Sequence, residues 1–172
     1  MDLHVNAPTL TLKGLVLEFN QVVTAWIDGS INYYPASQVR GIDVNIDHSM
    51  NRLPDVIASH LAAHQVIANL YDNAIKYGKP KTKINIFARR EPPYIINKFS
   101  HTAGIVLTDL AASKMFERGF RADEAKAVSG SGTGIGMWIS KKLMTAMQGD
   151  LRAIPTNAER VTRFIIKWRV AP

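Results

Sequence analysis

The chain has 172 residues, 47% of them apolar, enough for one sizeable core and a single domain over residues 1–172. Lys and Arg outnumber Asp and Glu by 21 to 14, for a net charge of +7. This suits an anionic ligand or an acidic partner, and charge alone does not choose between them. The absence of cysteine excludes disulfides, thiolate metal centres and a cysteine nucleophile, and fits a reducing cytoplasm. No stretch approaches the ~18 uninterrupted apolar residues of a membrane span, and MDLHVNAPTL lacks the pattern of a secretion signal. The expectation is a cytoplasmic module, with membrane contact only through regions absent from this chain.

Residues 9–27 open with a short alternating stretch, after which Leu15, Phe19, Val22, Val23 and Ile27 recur at helical spacing. Residues 29–38 are turn-rich, 41–47 alternate as a strand through Ile42, Val44 and Ile46, and 48–54 form a loop. A long helix is predicted from about Asp55 to Tyr77, with Leu61, Val66, Leu70 and Ala74 as its apolar stripe; Gly78 and Pro80 stop it. KTKINIFARR (81–90) and YIINKFS (94–100) flank the turn EPP and read as a hairpin. The mixed stretch 101–131 carries one short helix at 109–117, and a stretch this long without clear strands is often a functional loop or lid. A helix over about 134–147, a strand at 149–154, a turn at 155–158 and a final strand at 160–170 complete the chain. Hairpins mixed with helices predict an α/β sandwich with helices on one face of the sheet.

Two stretches carry chemistry. In SGSGTGIGMWISKKL (129–143), glycines fall at 130, 132, 134 and 136 and an amphipathic helix follows. A glycine-rich turn feeding a helix N-terminus offers free N–H groups and a positive dipole end to an anion. No glycine here is followed by Lys-Ser or Lys-Thr, so it is not a P-loop; neither GxGxxG frame fits, and the partner motifs of a protein kinase are missing. A plain surface loop before an ordinary helix is the alternative. In NLYDNAIKYG (69–78), Asn69, Asn73 and Lys76 share one helix face beside the apolar stripe. An Asn carboxamide oxygen can ligate a hard cation such as Mg²⁺ and Lys76 can meet a phosphate, whereas a solvated polar face is the plainer reading of these residues.

Together the two segments are far more specific. HQVIANLYDNAIKYG resembles the asparagine box of the sensor histidine kinases, GSGTGIGMWISKKLM resembles their second glycine box, and KMFERGFR (114–121) is similar to their phenylalanine box. The resemblance runs from Thr9 to Val170 and places the chain among the Bergerat-type ATPases, the group shared with DNA gyrase B and MutL. It implies a two-layer α/β sandwich, a mixed sheet covered on one face by about three helices, with ATP held under a lid at about 106–131. It further implies that Asn73 holds Mg²⁺ through its carboxamide and that Asn69 lies near the phosphates or the metal-bound water. Lys76 and Tyr77 would line the nucleotide, and the backbone of Gly132, Thr133, Gly134, Ile135, Gly136 and Met137 would wrap the triphosphate. Phe116, Phe120 and Arg121 would belong to the lid. The first glycine box departs from the family. Where Asp-x-Gly-x-Gly is usual, with the Asp reading the adenine amino group, this chain has SHTAGI (100–105). Ser100 replaces the Asp, Thr102 the first Gly, and Gly104 alone remains. A hydroxyl in place of a carboxylate weakens the adenine contact by ~1–3 kcal/mol.

The family's rapid hydrolases carry a Glu where this chain has Asn69, and an amide cannot act as general base. None of the five histidines has the acidic follower of a phosphoacceptor. The resemblance thus implies the ATP-binding catalytic domain of a two-component histidine kinase. It would transfer phosphate to a His on a dimerisation domain outside this chain, with a response regulator downstream. The alternative of a different class is a pseudokinase-like module with weak or no ATP binding that works through protein contacts; a third is an anti-sigma-type serine kinase. No aromatic–basic pattern supports nucleic-acid binding.

Overall fold

The computed structural model describes residues 8–17, 43–130 and 132–172. The predicted helix beginning near Leu15 is present over residues 12–17 (α1), and its predicted remainder, with the turn at 29–38, lies outside the described residues.

A five-stranded mixed sheet forms one layer. In chain order its strands are β2 (Asp43–Ile46), β4 (Lys83–Glu91), β5 (Tyr94–Thr102), β6 (Asp150–Ile154) and β7 (Val161–Arg169), and in space they run β2-β4-β5-β7-β6. β2 pairs parallel with β4, and the crossover between them contains α2 (His60–Tyr77). All other pairs in this sheet are antiparallel. The predicted hairpin is β4–β5, with Glu91 opposite Tyr94 and Pro92 and Pro93 in the turn. Two prolines cannot donate to a ladder, so pairing ends there.

The predicted long helix starts later than its sequence suggests. Val56–Ile57 form strand β3, paired antiparallel with β1 (Thr9–Leu10), and Ala58 N–H donates to the Pro8 carbonyl at 2.8 Å. These backbone groups are taken by β pairing, so Ser59 is still extended and α2 begins at His60. At its other end Gly78 N–H closes onto the Ala74 carbonyl at 2.9 Å.

Alternation in the strands explains the layering. Ile84, Ile86 and Ala88 of β4, Ile95 and Phe99 of β5, and Phe164, Ile166 and Trp168 of β7 are buried, and they meet Val66, Ile67, Leu70, Tyr71 and Ala74 of α2. α5 (Gly136–Ala146) lies beside α2 and adds Met137 and Met144. Tyr71 meets Phe99 edge to face, with centroids 5.2 Å apart at 76°. Desolvation raises the pKa of the Tyr71 phenol, so it is neutral over the physiological range. The result is the expected two-layer α/β sandwich. Truncating Phe99, which is fully buried at the centre of the sheet, to Ala should cost about 3–5 kcal/mol in unfolding free energy, measured by urea denaturation at unchanged m-value.

Candidate functional site

The two sequence-picked segments meet. Asn69 of α2 donates both amide hydrogens to α5, one to the Gly136 carbonyl at 2.9 Å and one to Ser140 Oγ at 2.8 Å. Its Oδ1 accepts from Gln65 Nε2 at 3.1 Å. One turn on, Asn73 Nδ2 donates to the Asn69 carbonyl at 2.9 Å. That commits the nitrogen of the carboxamide and, among the described residues, leaves Asn73 Oδ1 as a free acceptor. Lys76 Nζ pairs with Asp72 at 2.8 Å.

Asn69, Asp72, Asn73 and Lys76 line a cavity of ≈ 340 Å³ that also takes in Tyr77, Arg121, Gly132, Thr133, Gly134, Gly136 and Met137. α5 opens at Gly136 rather than Gly134, and its N-cap, Ile135, provides no side-chain cap. As at any helix start, the first-turn N–H groups have no intrahelical acceptor, and Gly136 and Met137 of that turn line the cavity. Gly134 has φ +69°, and a Cβ there would stand 2.7 Å from the Gly119 backbone and the Phe120 carbonyl. Only glycine fits both demands.

The predicted lid contains two short helices, α3 (Asp109–Lys114) and α4 (Asp123–Val128), where one at 109–117 was expected. Thr108 caps α3 through Ala111 N–H, and Asp123 opposes Lys126 within α4. The lid is seated on the glycine loop and α5. Gly119 N–H donates to the Gly134 carbonyl at 3.0 Å, Lys141 Nζ stands 5.3 Å over the Phe116 ring, and the Arg118 guanidinium 5.4 Å over Trp138. Arg121 donates to the Ser129 and Ala125 carbonyls and packs against Gly132. At the lid's start, Leu107 N–H donates to Thr156 Oγ1 at 2.8 Å, and Thr156 is hydrogen-bonded to Thr162 at 2.8 Å.

Three predicted residues lie off the cavity wall. Ile135 is the cap just described. Gly104 sits against α2: its N–H donates to the Tyr77 carbonyl at 2.9 Å, and a Cβ there would stand 2.7 Å from the Gly78 oxygen. Ser100 requires a correction. β5 turns Ile95, Asn97, Phe99 and His101 toward the helices, so Ser100 points to the other face of the sheet, beside Asn85 and Arg163, with its Oγ 3.4 Å from the Asn85 carbonyl. His101 lines the cavity in its place. The sequence reading missed His101, Asp72 and Thr162 as wall residues. The period-two alternation through Ile95 and Phe99 is the signal that would have found His101.

Residues 58–172 match the family of histidine kinase-, DNA gyrase B- and HSP90-like ATPases, and the chain belongs to that family. It is 26% identical over 113 residues to the sensor protein CzcS of Cupriavidus metallidurans, an alignment covering 66% of this chain and 23% of that relative's length. The fold is that of the nucleotide-free catalytic domain of histidine kinase ThkA (TM-score 0.72, 21% identity, 95% of each chain). It is also similar to full-length ShkA in complex with AMPPNP (TM-score 0.70, 17% identity, 95% of this chain and 31% of that one). Among the described residues no helix is long and apolar enough to cross a membrane.

Gly134→Ala should cost about 1–2 kcal/mol through backbone strain alone. It should also release the lid from the glycine loop. Amide exchange at 117–121 should accelerate while exchange in β4, β5 and β7 keeps its protection.

Proposed function

We propose that this chain binds ATP with Mg²⁺ in the cavity between α2, α5 and the lid, and serves as the catalytic domain of a sensor histidine kinase. The γ-phosphate would go to a histidine on a separate dimerisation domain and from there to a response regulator. The observation that carries this reading is the meeting of the Asn69–Asn73–Lys76 face with the uncapped start of α5.

The residues fit their ligands. Asn73 Oδ1 is a neutral oxygen donor left free by the bond its nitrogen makes, which suits a hard cation that draws its other ligands from phosphate and water. When bound, Mg²⁺ neutralises phosphate charge. The amides of the α5 first turn and the glycine loop offer donors to phosphate oxygens. Arg121, held by backbone carbonyls of its own lid, is the cation best placed to exchange those contacts for phosphate oxygens. Lys76, bridged to Asp72, contributes a local positive end beside them.

Transfer to an imidazole needs no carboxylate base. The neutral acceptor nitrogen brings its own lone pair to phosphorus, forming the P–N bond as the bond to the β–γ bridging oxygen breaks and ADP leaves. Water, by contrast, must lose a proton. At the position where a hydrolase carries Glu, Asn69 has both amide hydrogens committed to α5 and cannot accept one.

Calorimetry with AMPPNP and Mg²⁺ tests the reading. Micromolar affinity is expected, and Asn73→Ala should weaken Mg²⁺-dependent binding by about tenfold or more with little change in metal-free binding. Absence of binding at millimolar nucleotide would sink the kinase assignment and favour a module that works through protein contacts. Where binding is present, ATP hydrolysis by the isolated chain should remain negligible beside phosphotransfer to an added acceptor domain.

A further inference from the structure

The cavity has two chemically different ends, and α2 gives their separation. At Asn69 it touches Gly136 and the start of α5; at Gly78 it touches the end of β5, where a Cβ would stand 3.2 Å from His101 Nδ1. Nine residues of helix place these points about 14 Å apart along its axis, the span of an extended nucleoside triphosphate. The glycine loop, Gly136 and the open first turn of α5 belong to the first end, while Lys76, bridged to Asp72, stands further along α2. At the second, Ile105 N–H donates to the Tyr77 carbonyl, and Ile105, Val106, Leu107 and Phe164 line the cavity together with the polar groups of Tyr77, His101 and Thr162. That is the composition of a slot for a flat, mostly apolar ring bearing a few polar edges.

His101 and Thr162 stand directly opposite each other across β5 and β7. The Thr162 hydroxyl is already bonded to Thr156. His101 is 5% exposed, and its Nδ1 lies 3.1 Å from the Thr102 carbonyl. A carbonyl can only accept, so Nδ1 carries the hydrogen of that bond, and in the neutral ring Nε2 is a bare acceptor. Burial lowers the His101 pKa and so keeps the ring neutral. Among the described residues Nε2 makes no hydrogen bond. A nearly buried side chain thus brings one unused acceptor to the cavity wall near Gly78, and the carboxylate of the lining, Asp72, is bridged to Lys76 six residues earlier on α2 than Gly78.

We propose that His101 is the specificity-determining residue for the nucleobase, accepting a hydrogen bond through Nε2 from an exocyclic amino group of the purine. The role rests on the nucleotide-binding reading above. It favours adenine over a base with a carbonyl oxygen at that edge, because two acceptors facing each other leave both unpaired.

The test compares ATP with inosine triphosphate, which carries oxygen where ATP carries the amino group, by calorimetry on the whole chain, with circular dichroism and thermal melts confirming each variant is folded. The wild type should prefer ATP by about tenfold or more. His101→Ala should bring the ratio near one. His101→Gln should keep ATP affinity within a few-fold yet admit inosine triphosphate, because a carboxamide can rotate to present either an acceptor or a donor; a purely structural histidine would not produce this split. Discrimination that survives His101→Ala or His101→Gln, or no discrimination in the wild type, overturns the role of His101 while leaving nucleotide binding intact. Tighter ATP binding on Ser100→Asp, with His101→Asp without effect, would return the role to Ser100. Failure of the wild type to bind either nucleotide overturns the nucleotide reading and His101 with it.

Discussion

The site depends on a single carboxamide. Asn69 sits where α2 crosses the start of α5, and both its hydrogens are spent on that neighbour, on the Gly136 carbonyl and on the fully buried hydroxyl of Ser140. A polar group at such a crossing is costly unless satisfied, and here satisfaction sets the distance and angle between the helices. Asn69 acts twice, through its side chain and through its backbone. The open first turn of α5 is held against the polar face of α2. The Asn69 carbonyl, in turn, draws the nitrogen of Asn73 back along the helix, which leaves the oxygen of that side chain forward. A structural bond at one residue thereby orients the metal-binding candidate four residues later.

The lid answers to the same helix. Besides the Leu107–Thr156 bond at its start, it meets α5 through cation–π pairs and the glycine loop through a backbone bond. These are individually weak, and its own helices are only 6 residues each. Arg121 holds its lid together through carbonyls a few residues away. In the proposed nucleotide-bound state a phosphate would offer the same guanidinium a charged acceptor, and ligand and lid would compete for one group.

The two ends of the cavity differ in how readily they can be seen in the sequence. Asn69, Asn73, Lys76, Tyr77, Gly132, Gly134, Gly136 and Met137 all reached the cavity wall, because helical spacing and a glycine turn before a helix are local properties. The end of β5 is the opposite case. Counting back from Gly104 points to Ser100, yet side chains of a strand alternate, and Phe99 is committed to the core against Tyr71. That commitment turns Ser100 outward and His101 inward.

The sequence alone determined the class of fold, the two helices that carry the site and the glycine loop between lid and α5. Each follows from a period of hydrophobicity or from the backbone demands of glycine and proline, and these act within a few residues. Tertiary structure decided what depends on partners distant in the chain. Val56 and Ile57 became a strand rather than the first turn of α2 because β1 was there to pair with them. Asn69 became a strut rather than a free ligand because Ser140 lay opposite. His101 took the cavity wall because the facing of a whole strand is chosen by the side chains it buries, and burial is a property of the packed molecule.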